Sequence, residues 1–327
     1  MLKVSAITMQ DHSLPKARSN VQRVRHVTVT EQDSGQRLDN WLLRFAKGVP
    51  KSHIYKVVRS GEVRINGGRV KVSVRLSTGD VIRVPPMQIK SNDPVRVPDR
   101  LQEVLKNAIA LQTEDYLVLN KPAGIAVHGG SGLAFGAIDG LRQALGCSTL
   151  ELVHRLDRAT SGALLVATDR KRCRVLQEQF RDRLVGKHYL ALVSGSWPEH
   201  VTTLDAPLTA NSEHAGERRV MVDHENGKSS VTHVRVKKRF ANVSLVDVEL
   251  ETGRTHQIRV HAASQGHPIV GDERYGNNQD NQRFRHLGLN RMFLHSAQLN
   301  FEWNGKEVCC EVPVDDSWGQ SIKRLSE

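Results

Sequence analysis

The sequence predicts an α+β protein in two parts: a small N-terminal α/β domain, and a large domain built on a mostly antiparallel mixed sheet with flanking helices. Three observations predict it. Residues 37–86 carry two short amphipathic helical patterns followed by short alternating strands. A Pro-containing stretch from Pro85 to Pro98 then breaks the periodicity. Beyond it, from about residue 105 to 323, short apolar strands are mixed with a few helices in no regular βαβ repeat. The expected division is a flexible tail over 1–27, a small domain over 28–88, a linker over 89–104 and the large domain over 105–327.

The 327 residues suffice for one large and one small domain. A hydrophobic share of 39% and a charged share of 25% describe a folded soluble chain, not a disordered one. No apolar run approaches membrane-spanning length, so no membrane partner is expected. The stretch Met1-Leu2-Lys3-Val4-Ser5-Ala6 lacks the apolar core of a secretory signal. Cys147, Cys173, Cys309 and Cys310 lack zinc spacing and read as reduced thiols of a cytoplasmic protein. The net charge of +12 is unevenly placed: residues 1–86 hold 16 Lys/Arg against 6 Asp/Glu, and residues 87–327 hold 31 against 29. A basic module on a near-neutral body points to a polyanionic partner, most simply nucleic acid.

In chain order, residues 26–30 read as a short strand. Leu38, Trp41, Leu42 and Phe45 fall at helical spacing, stopped by Gly48 and Pro50. A second helix starts at Ser52, carries Ile54, Tyr55, Val57 and Val58, and closes at Gly61. Residues 63–68 and 81–84 form alternating strands beside Asn-Gly and Gly-Asp turns. Arg44, Lys47, Lys51, Lys56 and Arg59 punctuate the two helices and make a candidate phosphate-binding face.

In the large part, Leu150–Val153 and Ala163–Ala167 read as buried strands, with Thr160-Ser161-Gly162 as the turn between them. Thr168 or Asp169 caps a helix carrying Val175, Leu176, Phe180 and Leu184, expected to stop at Gly186. Residues 189–193 form a strand. Residues 230–250 form two long strands, with Val246, Val248 and Leu250 on one face. Thr255 opens a short helix that ends at Gly266 and Pro268.

The run His154-Arg155-Leu156-Asp157-Arg158-Ala159-Thr160 carries the chemistry. It sets one carboxylate between two arginines at the break between apolar segments. Such an Asp stays ionised and is a usable nucleophile; equally, an Arg–Asp pair of this kind orders a turn.

Residues 37–67 resemble the S4-type RNA-binding domain. The matching pattern is Arg37-Leu38-Asp39, Lys51-Ser52 and Gly61-Glu62-Val63-Arg64-Ile65-Asn66-Gly67. Four further segments in series resemble the RluA-type RNA pseudouridine synthases: Leu117–Gly124 with residues 127–132, the Asp157 run, Lys187-His188-Tyr189, and Thr252–His261 continuing to Asp272. The stretch from Val127 to Gly132 and the N-terminal module most resemble the branch of that family acting on large-subunit ribosomal RNA.

The resemblance implies an isomerase that breaks the uracil–ribose bond, turns the base and rejoins it through carbon 5, with neither cofactor nor metal. It implies Asp157 as the nucleophile, attacking sugar or base or initiating loss of the uracil. Arg259 is implied to pair with Asp157, Tyr189 to stack on the target base, and Ile258 to press on it from the apolar side. Arg155 is implied to face RNA and fill the vacancy left by a flipped uridine; it is also a candidate turn-ordering partner of Asp157. Arg254, the amides near Thr255, Lys121 and the glycines at 129–132 suit phosphate. The family usually has an acidic residue where this chain has Ala159, which puts a partner of Arg158 in doubt. The expected partner is large-subunit ribosomal RNA before full assembly, bound by a monomer. A non-catalytic RNA-binding protein and the same chemistry on transfer RNA are the alternatives. His256, His261, His267, His286 and His295 lack the spacing of a metal site. Ser131 and Ser161 lack a nucleophile-elbow sequence.

Overall fold

The structure, a computed structural model, describes residues 23–46, 48–87, 95–130, 133–211 and 219–326. Most of the expected tail, Lys47, Ser131, Gly132 and residues 89–94 of the expected linker lie outside these ranges. Contacts divide the chain into two compact units, Met1–Val95 and Arg96–Glu327.

The first unit contains β1 (Arg25–Thr28), α1 (Leu38–Phe45), α2 (Lys51–Arg59), β2 (Arg64–Ile65), β3 (Gly68–Arg69) and β4 (Val81–Val84). The strands form one antiparallel sheet in the order β1-β4-β2-β3. β1 includes residues 25–27, which fall in the expected tail. The helices form because their apolar residues recur every three or four positions: Leu38, Trp41 and Leu42 on α1, and Ile54, Val57 and Val58 on α2. All six are buried with Val63, Ile82 and Val84 in one core. Asn66 and Gly67 both take positive φ, the two-residue turn that joins β2 to β3.

The second unit contains α3 (Asp99–Asn107), β5 (Ile109–Gln112), β6 (Tyr116–Lys121), α4 (Ala137–Ala144), β7 (Glu151–Leu152), β8 (Ser161–Ala167), α5 (Arg170–Arg181), β9 (Gly186–Ser194) and β10 (Thr203–Asp205). It continues through β11 (Leu208–Asn211), β12 (Arg219–Val222), β13 (Val231–Arg239), β14 (Val243–Leu250), α6 (Gln257–Ser264), α7 (Asn278–His286), β15 (Leu294–Trp303), β16 (Lys306–Glu311) and α8 (Asp316–Ser326). The main sheet runs β10-β13-β14-β9-β15-β8-β6-β5, with β16 on β15 and β7 on β8. Every pairing is antiparallel except β15 with β8.

The central strands are buried on both faces, which is why they read as continuous apolar runs. Leu117, Leu119, Leu164 and Val166 belong to one apolar cluster, while Tyr116, Val118, Ala163 and Leu165 belong to another. The parallel pairing of β8 with β15 requires Gly162. Its φ is 107°, and a Cβ there would lie 2.2 Å from the Ser296 carbonyl oxygen.

Four expectations are corrected. Residues 99–104 are not linker but the start of α3, capped at Pro98; too few apolar residues mark it, yet Leu105 is fully buried. Ser161 and Gly162 belong to β8 instead of a turn, so Asp157 sits within a loop between β7 and β8, away from a strand end. α5 ends at Arg181, not Gly186, because Arg183 takes a left-handed conformation that the helix cannot continue through. α6 starts at Gln257, not Thr255, because His256 has φ 55°. Among the described residues no helix is long and apolar enough to cross a membrane.

Candidate active site

The loop carrying Asp157 is fastened at both ends. Before it, the His154 ring stacks on Phe180 at 4.6 Å and its Nε2 accepts from the Leu165 amide at 2.9 Å. Burial pushes this imidazole down to about 3, and Lys187 acts in the same direction, so the ring is a neutral acceptor at physiological pH. After it, the buried Ser161 hydroxyl bridges His295 Nδ1 at 2.9 Å and Arg291 Nη2 at 2.7 Å. Those contacts account for Ser161 as a structural residue. Leu156 points into the main core, and a turn from the Thr160 amide to the Asp157 carbonyl closes the loop.

The arginines beside Asp157 do not hold its carboxylate. The Arg155 side chain is exposed and makes no hydrogen bond or ion pair to the described residues, so it does not order this turn through Asp157 here. Arg158 donates through Nε to the Gly124 carbonyl at 2.9 Å. That contact gives Arg158 a partner within the fold, and Ala159 packs against the core. Arg259, from the first turn of α6, supplies the ion pair: Nη1 meets Asp157 Oδ2 at 2.9 Å.

Arg259 is itself held from behind by Asp272. Its Nε and Nη2 meet Asp272 Oδ2 and Oδ1 at 2.7 and 2.9 Å, a bidentate pair. The Tyr275 ring lies 5.1 Å from the guanidinium carbon. The Asp272 side chain is 0% exposed and also accepts from the Arg274 and Tyr275 amides. Burial works to raise its carboxyl, but the hydrogen bonds and charge of Arg259 outweigh burial and hold it below its ordinary value. Burial likewise opposes the Arg259 charge, and Asp272 and Asp157 together hold it raised. Asp157 remains 19% exposed, against 10% for Arg259, and its Oδ1 makes no hydrogen bond to the described residues.

Asp272 occupies a rigid corner. Gly271 has φ 77°, and a Cβ there would lie 1.9 Å from the Arg291 carbonyl oxygen. Asn281 on α7 is buried; its Oδ1 accepts from the Gly271 amide and its Nδ2 donates to the Asp272 carbonyl at 2.9 Å. On the other side of Asp157, His256 Nε2 is 3.6 Å from Oδ2 and His256 Nδ1 is 2.8 Å from the Tyr275 hydroxyl. Burial lowers the His256 imidazole, with Asp157 opposing and Arg259 assisting.

Tyr189 on β9 is buried in the same apolar cluster as Leu156 and Ile258. Burial pushes its phenol up to about 12, against the effect of the Ser296 hydroxyl. Asp157 also acts to raise it, so Tyr189 lies within electrostatic reach of the carboxylate. Gln257 locks the start of α6: its Oε1 accepts from the Thr252 hydroxyl and the Arg254 amide, at 2.8 and 2.9 Å. This takes one of the amides expected to serve a phosphate. The Arg254 side chain is exposed and donates to the Ser229 carbonyl at 3.3 Å.

Lys121 is corrected from a phosphate contact to a buried tie. It is 0% exposed, and its Nζ donates to the carbonyls of Pro122, Ile125 and Arg158 at 2.8, 2.8 and 3.3 Å. Burial pushes its ammonium down to about 7, with Arg291 assisting and Asp157 opposing. In the first unit, Lys51, Lys56 and Arg59 are exposed along α2, and with Ser52, Tyr55 and Ser60 they line a shallow concavity. Arg44 is already paired with Asp33, so less of its charge is left for phosphate. Asp39 beneath this face is held down at about 2, chiefly by the Arg37 hydrogen bond.

Asp272, His256, Tyr275 and Asn281 were not marked as site residues by sequence reasoning. His256 was weighed there only as a metal ligand. Gly271-Asp272 closes the fourth family-like segment, and that adjacency was the available signal. Among the described residues no three His, Cys, Asp or Glu side chains converge as metal ligands.

At the centre of the site a carboxylate is paired through one oxygen to a buried Arg, and its other oxygen has no hydrogen bond to the described residues. The family model for RNA pseudouridylate synthase matches residues 115–264, and that for the S4 domain matches residues 36–82. The chain is 49% identical over 298 residues to the ribosomal large subunit pseudouridine synthase C of Yersinia pestis, covering 90% of this chain and 93% of that protein. It is 46% identical over 309 residues to the protein of the same name from Escherichia coli (strain K12), covering 92% and 97%. Among solved structures, human RNA pseudouridylate synthase domain containing 4 superposes with a TM-score of 0.59 at 26% identity, covering 69% of this chain and 96% of that one. Human RNA pseudouridylate synthase domain containing 1 gives 0.55 at 27%, covering 67% and 94%. This chain belongs to the RNA pseudouridylate synthase family and carries an S4 domain at its N-terminal side.

Proposed function

We propose that this pseudouridine synthase isomerises specific uridines of large-subunit ribosomal RNA, with Asp157 as the nucleophile on a flipped-out uridine. The observation that carries the reading is the Asp157 carboxylate, paired through Oδ2 to Arg259 and unpaired at Oδ1. Arg259 holds the carboxylate in place through Oδ2, while Oδ1 meets the substrate. In the overall change the bond between N1 and C1′ breaks, the base turns and C5 joins C1′. C5 gives up a proton and N1 gains one, so atoms and electrons balance without a redox partner.

Holding the detached base is a positioning task, and Tyr189 and Ile258 serve it as stiff contacts. The Tyr189 phenol is protonated at neutral pH, which favours stacking over service as a free base. Arg155 is exposed and unpaired, free to enter the stack that the uridine vacates, a step that costs a few kcal/mol. Arg254 and the α2 face with Lys51, Lys56 and Arg59 supply phosphate contacts. The substrate assignment rests on the names of relatives that align along nearly the whole chain. The enzyme acts as a monomer, before subunit assembly closes off the target bases.

The test is a pseudouridine map of ribosomal and transfer RNA from cells with and without the gene, complemented by wild type and by Asp157→Ala. Loss of particular large-subunit sites, restored by wild type alone, is the expected result. Loss confined to transfer RNA overturns the substrate, and no loss in either RNA overturns the function.

A further inference from the structure

We infer that His256 is a positioning residue for the reaction: Tyr275 and β12 hold its ring in one neutral tautomer, which presents an N–H donor to the Asp157 carboxylate. The inference rests on the reading of Asp157 as nucleophile.

The hydrogen bonds decide where the ring proton sits. The Tyr275 hydroxyl accepts from the Val220 amide at 3.1 Å and meets His256 Nδ1 at 2.8 Å. Among the described residues no other acceptor bonds the phenol proton. The phenol therefore donates to Nδ1, and the proton of the neutral ring is left on Nε2. Nε2 stands 3.6 Å from Asp157 Oδ2. The opposite tautomer would set a bare ring nitrogen against a carboxylate oxygen and leave the phenol proton without an acceptor. An imidazolium would strand the same phenol proton, and burial of the ring opposes that charge.

At 3.6 Å the approach of Nε2 to Oδ2 is longer than a hydrogen bond. Catalytic hydrogen bonds are often long without substrate and tighten once it is bound. Arg259 already engages Oδ2 through Nη1. A second donor on the same oxygen fixes the rotation of the carboxylate and leaves Oδ1 for the substrate.

The backbone at His256 supports a role for the side chain. With φ 55° and ψ 20° it takes the left-handed conformation, which residues with a Cβ rarely adopt. It precedes α6, yet its side chain caps nothing. Asn would take this conformation with less strain and could cap the helix. Neither the turn nor the helix calls for His here.

Tyr275 is in turn held by a hairpin outside the main sheet. Val220 lies on β12, which forms a two-stranded sheet with β11. Leu208, Val220 and Val260 make a small apolar cluster against which Tyr275 packs. Arg219 donates from the same strand to the Arg274 carbonyl at 3.2 Å. The hairpin thus sets the position of a proton beside the catalytic carboxylate.

NMR of the full-length enzyme, isotope-labelled at its histidine ring nitrogens, reads the tautomer near neutral pH. His256 is assigned through its contact with the Tyr275 ring, at 5.6 Å between centroids. The expected result is a protonated Nε2 and a bare Nδ1 in wild type, with a shift toward the other tautomer in Tyr275→Phe. On RNA, His256→Ala should lower kcat by about 10- to 100-fold. KM should stay within about twofold, because His256 acts through Asp157. His256→Gln places an amide N–H near the position of Nε2 and should recover most of the lost rate. A merely structural role would not single out that variant.

A protonated Nδ1 in wild type overturns the inference whether or not the variants fold. Wild-type kcat in a folded H256A overturns it, as does an H256Q no better than H256A. A defect of H256A in KM alone also overturns it, because His256 would then be an RNA contact. Asp157→Asn is run beside them: retained activity in D157N would sink the nucleophile reading, whereas an inactive D157N with a fully active H256A sinks only this inference.

Discussion

Arg259 and Asp157 are 102 positions apart in the chain, and Nη1 of the first meets Oδ2 of the second at 2.9 Å. The pair joins a loop between two central strands to the first turn of a short helix. It engages one oxygen of the carboxylate, and the other makes no hydrogen bond to the described residues.

Replacing Asp157 by Ala should abolish isomerisation and leave the fold intact. Arg259 keeps its two bonds to Asp272, so no buried charge is orphaned. Unfolding free energy should change by about 1 kcal/mol or less. Urea denaturation and RNA gel shifts check stability and binding, and tritium release or mass mapping checks activity.

Arg259→Met should cost far more. It strands Asp272, whose side chain is 0% exposed, as an uncompensated buried charge. The expected loss is about 3–5 kcal/mol, read by denaturation at neutral pH. A loss below 1 kcal/mol would mean that Asp272 is not buried as described.

Lys121 gives a pH dependence of definite sign. Its folded value is about 7 against an ordinary 10.5, so between these the unfolded chain holds the extra proton. Stability from this group therefore rises with pH through that window, by up to about 1.4 kcal/mol per unit. Lys121→Met should flatten the rise between pH 7 and 9, and should cost about 2–4 kcal/mol by leaving three carbonyls without their donor. An unchanged slope in the variant would rule out Lys121 as its source.

Gly162→Ala should destabilise strongly. The new Cβ would meet the Ser296 carbonyl oxygen at 2.2 Å, in a backbone conformation that L residues avoid. Strain and overpacking together predict about 3 kcal/mol or more. The readout is the melting transition of the full chain, and a variant as stable as wild type contradicts the close approach of β8 and β15.

Lys51, Lys56 and Arg59 changed together to Ala should leave folding unaffected, because all three side chains are exposed. RNA affinity should fall, and the slope of log K against log salt should drop by about 2. An unaltered slope, measured by filter binding from low to high salt, would remove the α2 face from the RNA interface.

Much was legible in the chain itself. Period-3.6 patterns over Leu38–Phe45 and Ile54–Val58, and period-2 alternation at Val246, Val248 and Leu250, depend on near neighbours and so survive as local signals. The Asp157 run and its companion segments pointed to the RNA pseudouridylate synthase family because their residue types and order are written linearly. Boundaries were less legible: a left-handed Arg183 ends α5 and a left-handed His256 delays α6, and neither residue type announces that conformation.

Which charge meets which was decided by the tertiary structure alone. Adjacency put Arg155 and Arg158 beside Asp157, yet folding turned the first to solvent and the second to the Gly124 carbonyl. It brought Arg259 in their place and set Asp272 behind it. Lys121, which reads as a free cation, became a buried tie for three carbonyls. The sequence by itself determined the family, the helical cores of α1, α2 and α5, several buried strands, and the carboxylate run at Asp157. Burial and pairing are properties of contacts made across long stretches of chain, and they exist only once the sheet has closed those distances.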